Sequence, residues 1–464
     1  MAVIAVNGCG QTYTPIATQS PTATLPQSTK TTETENGLFL QLDNNYPVSL
    51  LSTKSPALLE DNRIGANAKT ENIDSRLWSG GGKWIRLIID AHGEWQHVDW
   101  EREEYKIDSF DEKVVDDILD SGVSILLVLD VWHPEERTVF YKSEEDIAIY
   151  TSWVRFMVRH FKGRINYYEI LNEPDMDFNS PSGMPVDAYA NLVRHIVPII
   201  REEDPDAKIV VGALPDTRFN DVRKWLRNLL DSGVMPLVDG LSWHGMYGAA
   251  PSNDPRGNRQ PDHPQMKNYW ENYPVFVEEI KDAAISNGFE GEFLSEEMIW
   301  RTPIYQRHPH EPDDYTDISG AKYTARAIII HLGLDVAPGL AFIPEDDRPQ
   351  TYAVIRSLST IMAGAEPKDI PITIDSEESN IKYYGFTLSN GDQLLAIWVD
   401  DAAVDDFPGI PLTLTMNDSS AETVFGLDPL SGIQQKLISE NQGEYSLIEG
   451  LMVKDYPIII KFIN

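Results

Sequence analysis

The apolar and polar positions divide the chain into two regimes. From about residue 37 to 365, short runs rich in Ile, Leu and Val alternate with longer segments of helical period. The runs are Arg63–Asn67, Lys83–Asp90, Ser124–Asp130, Ile165–Leu171, Ala207–Ala213, Val238–His244, Glu292–Glu297 and Gly339–Ile343. Their near-continuous apolar character predicts parallel strands covered on both faces. Between them, Asp111–Ser121 carries Val114, Val115, Ile118 and Leu119, and Glu144–Phe161 carries Ile147, Trp153, Val154 and Met157. Val186–Glu203, Phe219–Ser232, Trp270–Asn287, Ser319–Leu334 and Gln350–Ala363 show the same spacing. Eight strand–helix units over about 300 residues predict an α/β fold, a closed (β/α)8 TIM barrel. The rival, a doubly wound open sheet, would want a Gly-rich turn after its first strand, and the sequence has none there.

After about Glu366 the period changes to two. Tyr383–Leu388, Gln393–Trp398, Pro411–Met416, Ala421–Phe425 and Pro457–Phe462 alternate apolar and polar residues between turns such as S-N-G-D and D-P-L-S-G. This predicts a small antiparallel β-sandwich over 366–464, expected to brace the barrel. Ahead of the barrel, residues 1–36 form a different kind of segment. Between Cys9 and Glu35, 14 of 27 residues are Thr, Ser or Pro, a composition that predicts an extended tether. The run V-N-G-C before it resembles the lipobox of bacterial lipoproteins. That resemblance implies export and a membrane tether through a lipidated Cys9, with an extracellular or cell-surface location. A basic n-region and a full-length apolar h-region are missing, so the coding start is expected upstream of Met1.

Composition narrows the function classes. The chain has 464 residues, with 38 Lys+Arg against 73 Asp+Glu, a formal net charge of −35. A pI near 4.5 argues against a nucleic-acid partner, because phosphates need Lys and Arg to displace counterions. The one Cys excludes a disulfide framework and a thiolate metal cluster. Apolar residues at 42% suffice for a large core, and the expected state is a monomer.

Barrel active sites lie at the C-terminal ends of the strands. There the fourth strand supplies Asn172 and Glu173, the sixth His244 and Tyr247, and the seventh Glu296 and Glu297. The second carries Arg86, and the third ends in Asp130, Trp132 and His133. Carboxylates on strands four and seven face each other across the barrel mouth. Glycosidic cleavage needs such a pair: one carboxylic acid protonates the leaving oxygen, the other attacks or stabilises the oxocarbenium-like centre. Their environments must differ so that one stays protonated and the other ionised. An Arg beside the ionised one would hold it so.

The segment L-N-E-P at the end of strand four resembles the acid/base motif of clan A retaining glycoside hydrolases. The segments W-Q-H-V-D-W-E-R-E-E-Y-K-I-D, E-D-P-D-A-K-I-V-V-G and L-S-W-H-G-M-Y are most similar to glycoside hydrolase family 39 and its relatives. The resemblance covers most of residues 60–365. It implies Glu173 as acid/base, Asn172 on the substrate hydroxyl beside the anomeric carbon, His244 and Tyr247 near the nucleophile, and Arg86 supporting it. It also implies a carbohydrate substrate and no cofactor or metal. Two residues compete for nucleophile. Ser295-Glu296 fits the small-residue-then-Glu pattern, whereas Glu297 lies three residues before Trp300. Adjacent strand residues point to opposite faces, so one of them is expected in the site, with Glu296 preferred.

Other features have plainer readings. Glu169, Glu173, Asp175 and Asp177 read as a solvated rim around one catalytic acid rather than a cation site. H-P-H-E-P, with His308, His310 and Glu311, reads as a proline-held surface loop. Trp95, Trp132, Trp243 and Trp300 are candidate sugar platforms, about half of them expected in the core. The long polar loop Gly248–Tyr269 is expected to wall the cleft. Two other classes compete with the glycosidase reading. A non-catalytic glycan-binding barrel would keep the Trp faces and lose a carboxylate, and a metal-dependent barrel hydrolase would need His and Asp at several strand ends.

Overall fold

The structure is a computed structural model, and it describes residues 40–70, 81–89, 98–99, 104–131, 141–175, 183–215, 217, 219–257, 268–300, 315–341, 348–417, 421–441 and 445–463. Eight parallel strands close into a barrel: β1 (Gly65–Lys69), β2 (Trp84–Ile88), β3 (Ser124–Leu129), β4 (Tyr167–Ile170), β5 (Lys208–Leu214), β6 (Gly240–Trp243), β7 (Glu292–Met298) and β8 (Ala337–Ala341). Each pairs with its neighbours in chain order, and β8 closes the ring on β1 through Gly339–Gly65 to Ala341–Asn67. Among the described residues seven helices cover it: α1 (Ser109–Asp120), α2 (Glu144–Phe161), α3 (Val186–Glu203), α4 (Asn220–Asp231), α5 (Tyr269–Ser286), α6 (Asp317–Gly333) and α7 (Pro349–Ile361).

Local chemistry sets several boundaries. The sequence S-E-E-D opens α2 with a capping box: Ser143 Oγ accepts from the Asp146 amide, and the Asp146 carboxylate accepts from the Ser143 amide. The apolar stripe of α2, Ile147, Trp153, Val154 and Met157, is buried against the barrel. Gly65 and Gly339 are required by one indole. A Cβ on Gly65 would stand 2.1 Å from Trp84 Cε2, and one on Gly339 2.6 Å from its Cη2. Trp84 therefore packs against the lowest interior layer, Leu126, Val210, Leu294 and Ala337.

Residues 366–463 form the expected antiparallel sandwich. A seven-stranded and a four-stranded sheet enclose Leu395, Ile397, Leu414, Ile448 and Ile460. The amino-terminal segment of the described chain also belongs to this layer, although the sequence pattern assigned it to the barrel. Val48–Leu50 adds an edge strand on Ile433–Gln435, and Leu40 is buried in the sandwich core. The sandwich grips α5 and α6. Lys322 Nζ donates to Asp455 Oδ1 at 2.7 Å, Arg326 Nε to the Asp455 carbonyl at 2.9 Å, and Trp270 Nε1 to Asp400 Oδ2 at 3.1 Å. Lys322 and Asp455 are both buried, so losing either partner would strand a charge at a cost of about 3–5 kcal/mol. The sandwich also holds the loop after β6: Asn253 Nδ2 donates to Asp401 Oδ1 at 2.8 Å and Arg256 Nη2 to the Ala403 carbonyl at 2.5 Å.

Candidate active site

The C-terminal ends of the strands bring five of the expected residues together around a buried guanidinium. Arg86, inward-facing on β2, is fully buried. Its Nε donates to Glu169 Oε2 at 2.5 Å, Nη1 to Glu297 Oε1 and Asn67 Oδ1 at 3.1 Å each, and Nη2 to Asn172 Oδ1 at 2.7 Å. Burial alone would lower the pKa of Arg86, but Glu169, Glu296 and Glu297 outweigh it, so the cation is fixed. One side chain thus ties β1, β4 and β7 together at the barrel mouth.

The two strand-seven glutamates differ sharply. Glu296 follows the two-residue alternation from Leu294 and enters the barrel interior, where it is 0% exposed. Neither carboxyl oxygen has a hydrogen-bond partner. Burial, then the charge of Glu169, pushes its carboxyl well above the usual carboxylate range. Glu297 sits at φ 58°, where the β7–β8 register slips between Ser295 and Met298. Three steps on β7 match two on β8, which is a bulge, and a bulge re-aims a side chain. Glu297 therefore also turns inward, one level above Glu296, with 23% of its side chain exposed. It accepts from Asn67 Nδ2 at 2.8 Å as well as from Arg86. Burial would raise its pKa, but His244, Arg86 and the Asn67 hydrogen bond hold it below the ordinary value. The expectation that strand alternation admits only one glutamate is corrected by this geometry: the bulge turns both inward, Glu297 partly exposed beside His244 and Glu296 enclosed beneath it.

Glu173 lies just past β4, where Leu171 (φ 65°) and Glu173 itself (φ 45°) both take left-handed backbone. Its amide donates to the Ala213 carbonyl at 3.0 Å, fixing the turn against β5. His244, past the end of β6, is anchored by its amide to the Leu214 carbonyl at 2.7 Å. His244 Nδ1 donates to Glu173 Oε1 at 3.0 Å and lies 3.7 Å from Glu297 Oε2. Burial would lower the His244 pKa, and the Glu297 and Glu173 carboxylates raise it above normal. One oxygen each of Glu173 and Glu297 and one His244 nitrogen lie within 4.8 Å of one another. Left-handed backbone at Leu171, Glu173, Ala213, Met246 and Glu297 is concentrated at this rim, where strain is maintained by surrounding structure.

Other expected residues fall elsewhere. Tyr247 follows β6 and is half-buried. Trp300 is 1% exposed and donates to the Ala249 carbonyl at 2.6 Å, so it supports the loop after β6 from beneath instead of offering a face to a sugar. Trp243 is equally buried, its Nε1 on the Tyr273 hydroxyl. Glu169 is fully enclosed and accepts from Ser242 Oγ at 2.5 Å as well as from Arg86, so it is not a rim residue. Trp95, Trp132, His133, Asp177, His308, His310, Glu311 and Cys9 lie outside the described residues. Sequence reasoning passed over Asn67 and Ser242 as site residues, although both are polar side chains within apolar strands. A separate cavity of about 1030 Å³ opens at the opposite, N-terminal face, lined by Trp84, Tyr167, Glu292 and Asp335 among others. It contains none of the cleft carboxylates.

Neither a family model nor a curated protein sequence matches the chain. Solved structures do match, among them glycoside hydrolases of families 39, 44 and 51. A family 39 glycoside hydrolase from the gut symbiont Bacteroides cellulosilyticus WH2 has a TM-score of 0.61 at 16% identity, covering 87% of this chain and 82% of that one. A family 44 endoglucanase of Clostridium acetobutylium ATCC 824 has a TM-score of 0.57 at 13% identity, covering 90% and 98%. A family 51 α-L-arabinofuranosidase of Bifidobacterium longum has 0.54 at 14%, covering 91% and 98%. At these identities the likeness establishes the fold, a TIM barrel with a C-terminal β-sandwich.

Proposed function

We propose that the protein is a retaining glycoside hydrolase that cleaves O-glycosidic bonds of an oligo- or polysaccharide by double displacement. The observation that carries this reading is the pair Glu173 and Glu297, with facing oxygens within 4.8 Å and different environments. A retaining pair stands about 5–5.5 Å apart, whereas an inverting pair needs about 6.5–9.5 Å to admit water between them. Glu297, held ionised by His244, Arg86 and Asn67, attacks the anomeric carbon and forms a glycosyl-enzyme. Glu173 gives its proton to the departing oxygen, then takes one from the water that releases the sugar. His244 orients Glu173 through the 3.0 Å hydrogen bond, and Asn172, fixed on Arg86, faces the substrate hydroxyl beside the reacting carbon. These residues complete the cycle with no cofactor.

The test is hydrolysis of a panel of aryl glycosides and polysaccharides by the full chain, Glu173→Gln and Glu297→Gln. Glu297→Gln should lose about a thousandfold in kcat/KM. Glu173→Gln should lose activity on poor leaving groups, retain it on activated aryl glycosides, and respond to added azide. A wild type that binds glycan and hydrolyses none would instead establish a non-catalytic binding barrel. On sequence grounds we place the enzyme at the cell surface, tethered through a lipidated Cys9. Incorporation of labelled fatty acid that Cys9→Ser abolishes is the check.

A further inference from the structure

We propose that Glu296 is a carboxylic acid that keeps its proton at neutral pH, shares it with Glu169, and acts as a positioning residue that leaves the Arg86 charge to Glu297. The inference deepens the two-glutamate reading of the cleft and rests on it.

Hydrogen-bond accounting carries the argument. Two carboxyl groups, Glu169 and Glu296, lie 0% exposed against the same guanidinium nitrogen, Arg86 Nε, at 2.5 and 3.1 Å. That nitrogen has one hydrogen, and it is directed at Glu169 Oε2. The other oxygen of Glu169 takes the Ser242 hydroxyl at 2.5 Å. Glu169 is thus supplied with donors on both oxygens, as a buried carboxylate requires. Glu296 is supplied on neither. The remaining donor candidate, His244 Nε2, stands 4.0 Å away and is itself without a partner. An ionised carboxylate in that position would be a buried charge with no hydrogen bond, among the costliest arrangements a protein interior can hold. A neutral carboxyl resolves the deficit, because it brings its own O–H, and the adjoining Glu169 carboxylate is the acceptor. Of two carboxyls sharing a site one keeps a proton, and the donor pattern says which.

The consequence for the cleft is a charge count. The groups facing Glu296 are Arg86 from β2, Glu169 from β4, His244 past β6 and Glu297 beside it on β7, with Asn67 and Lys69 of β1 facing Glu297. With Glu296 neutral, one guanidinium serves two carboxylates, Glu169 and Glu297. With Glu296 ionised, three would divide it, and Glu297 would gain a like charge at its back. The burial and neighbouring charges that raise the Glu296 carboxyl agree with the geometric accounting.

The test uses the full chain labelled with 13C-glutamate and read by infrared spectroscopy at pH 7. The expected result is a label-shifted carbonyl band of a neutral glutamic acid that persists in Glu173→Gln, where the acid/base's own proton is gone, and is lost when Glu296→Gln is added. Glu173→Gln leaves Glu296 itself unaltered, so the reading survives failure of the Glu296 variant to fold, and the label excludes aspartic acids such as Asp175. In kinetics, Glu296→Gln, which keeps a neutral donor, should retain at least about tenfold more kcat/KM than Glu296→Ala, with kcat rather than KM carrying the difference. No label-shifted neutral band in Glu173→Gln, or Gln and Ala variants of Glu296 equally impaired, overturns the proposal. Failure of the two-glutamate reading is a separate outcome: Glu297→Gln would stay active while the infrared band persisted.

Discussion

Asp175, two residues beyond the proposed acid/base, provides a quantitative test of the electrostatics at the barrel mouth. Its Oδ1 is buried without a hydrogen-bond partner. Burial, followed by the Glu173 charge, raises its carboxyl from 3.8 to about 7, although its own backbone and His244 pull the other way. A carboxyl raised on folding contributes stability that is complete below the unfolded pKa and disappears as pH rises through the folded one. The window is therefore pH 3.8 to 7, about 3 pH units, and at 1.36 kcal/mol per unit the folded state loses roughly 4 kcal/mol across it. Asp175→Asn keeps the shape and removes the ionisation. Denaturant unfolding should show the variant gaining on wild type by roughly 1.4 kcal/mol per pH unit between pH 4 and 7, then levelling off at about 4 kcal/mol. A stability difference independent of pH, or a 13C titration of Asp175 centred near 4, would refute the reasoning. The sequence reading of Asp175 as part of a solvated rim would then stand.

Three further outcomes follow from other contacts. Asn67→Ala removes the 2.8 Å donor to Glu297, so kcat/KM should fall about ten- to a hundredfold and the acid limb of the pH profile should move to higher pH. His331 is buried with Nδ1 on the Ala327 carbonyl and Nε2 on the Tyr273 hydroxyl, each at 2.7 Å, and burial lowers its pKa from 6.5 to about 4. A histidine depressed on folding contributes stability above pH 6.5 that is lost as pH falls to 4, about 3 kcal/mol, and His331→Gln should flatten unfolding free energies over that window. Gly65→Ala drives a methyl group into the Trp84 ring, and calorimetry should register about 1–3 kcal/mol or more of destabilisation.

The strand and helix pattern was legible because it rests on local physics. α2 and α3 span the same residues that their apolar period marked, and the strands agree to within a few residues, since buried parallel strands show as apolar runs whatever lies beside them. The place of Glu173 at the end of β4 was legible for the same reason: the motif follows the strand directly. The placement of 40–50 was not, because Val48–Leu50 pairs with Ile433–Gln435, almost four hundred residues away, and no local pattern reports such a partner.

The choice between Glu296 and Glu297 shows where sequence stops. Period-two alternation is a property of a regular strand, and it correctly sends Glu296 inward. The slip between β7 and β8 is a property of the pair, and it gives Glu297 the backbone to turn inward as well. The chain by itself determined the barrel, the sandwich and the two strand ends that supply carboxylates. Only the closed barrel, by bringing Asn67, Arg86, Glu169 and His244 from four strand ends to one point, decided which glutamate is ionised at the mouth and which stays buried beneath it. Hydrogen-bond donors and like charges, not residue type, set the proton on a buried carboxyl.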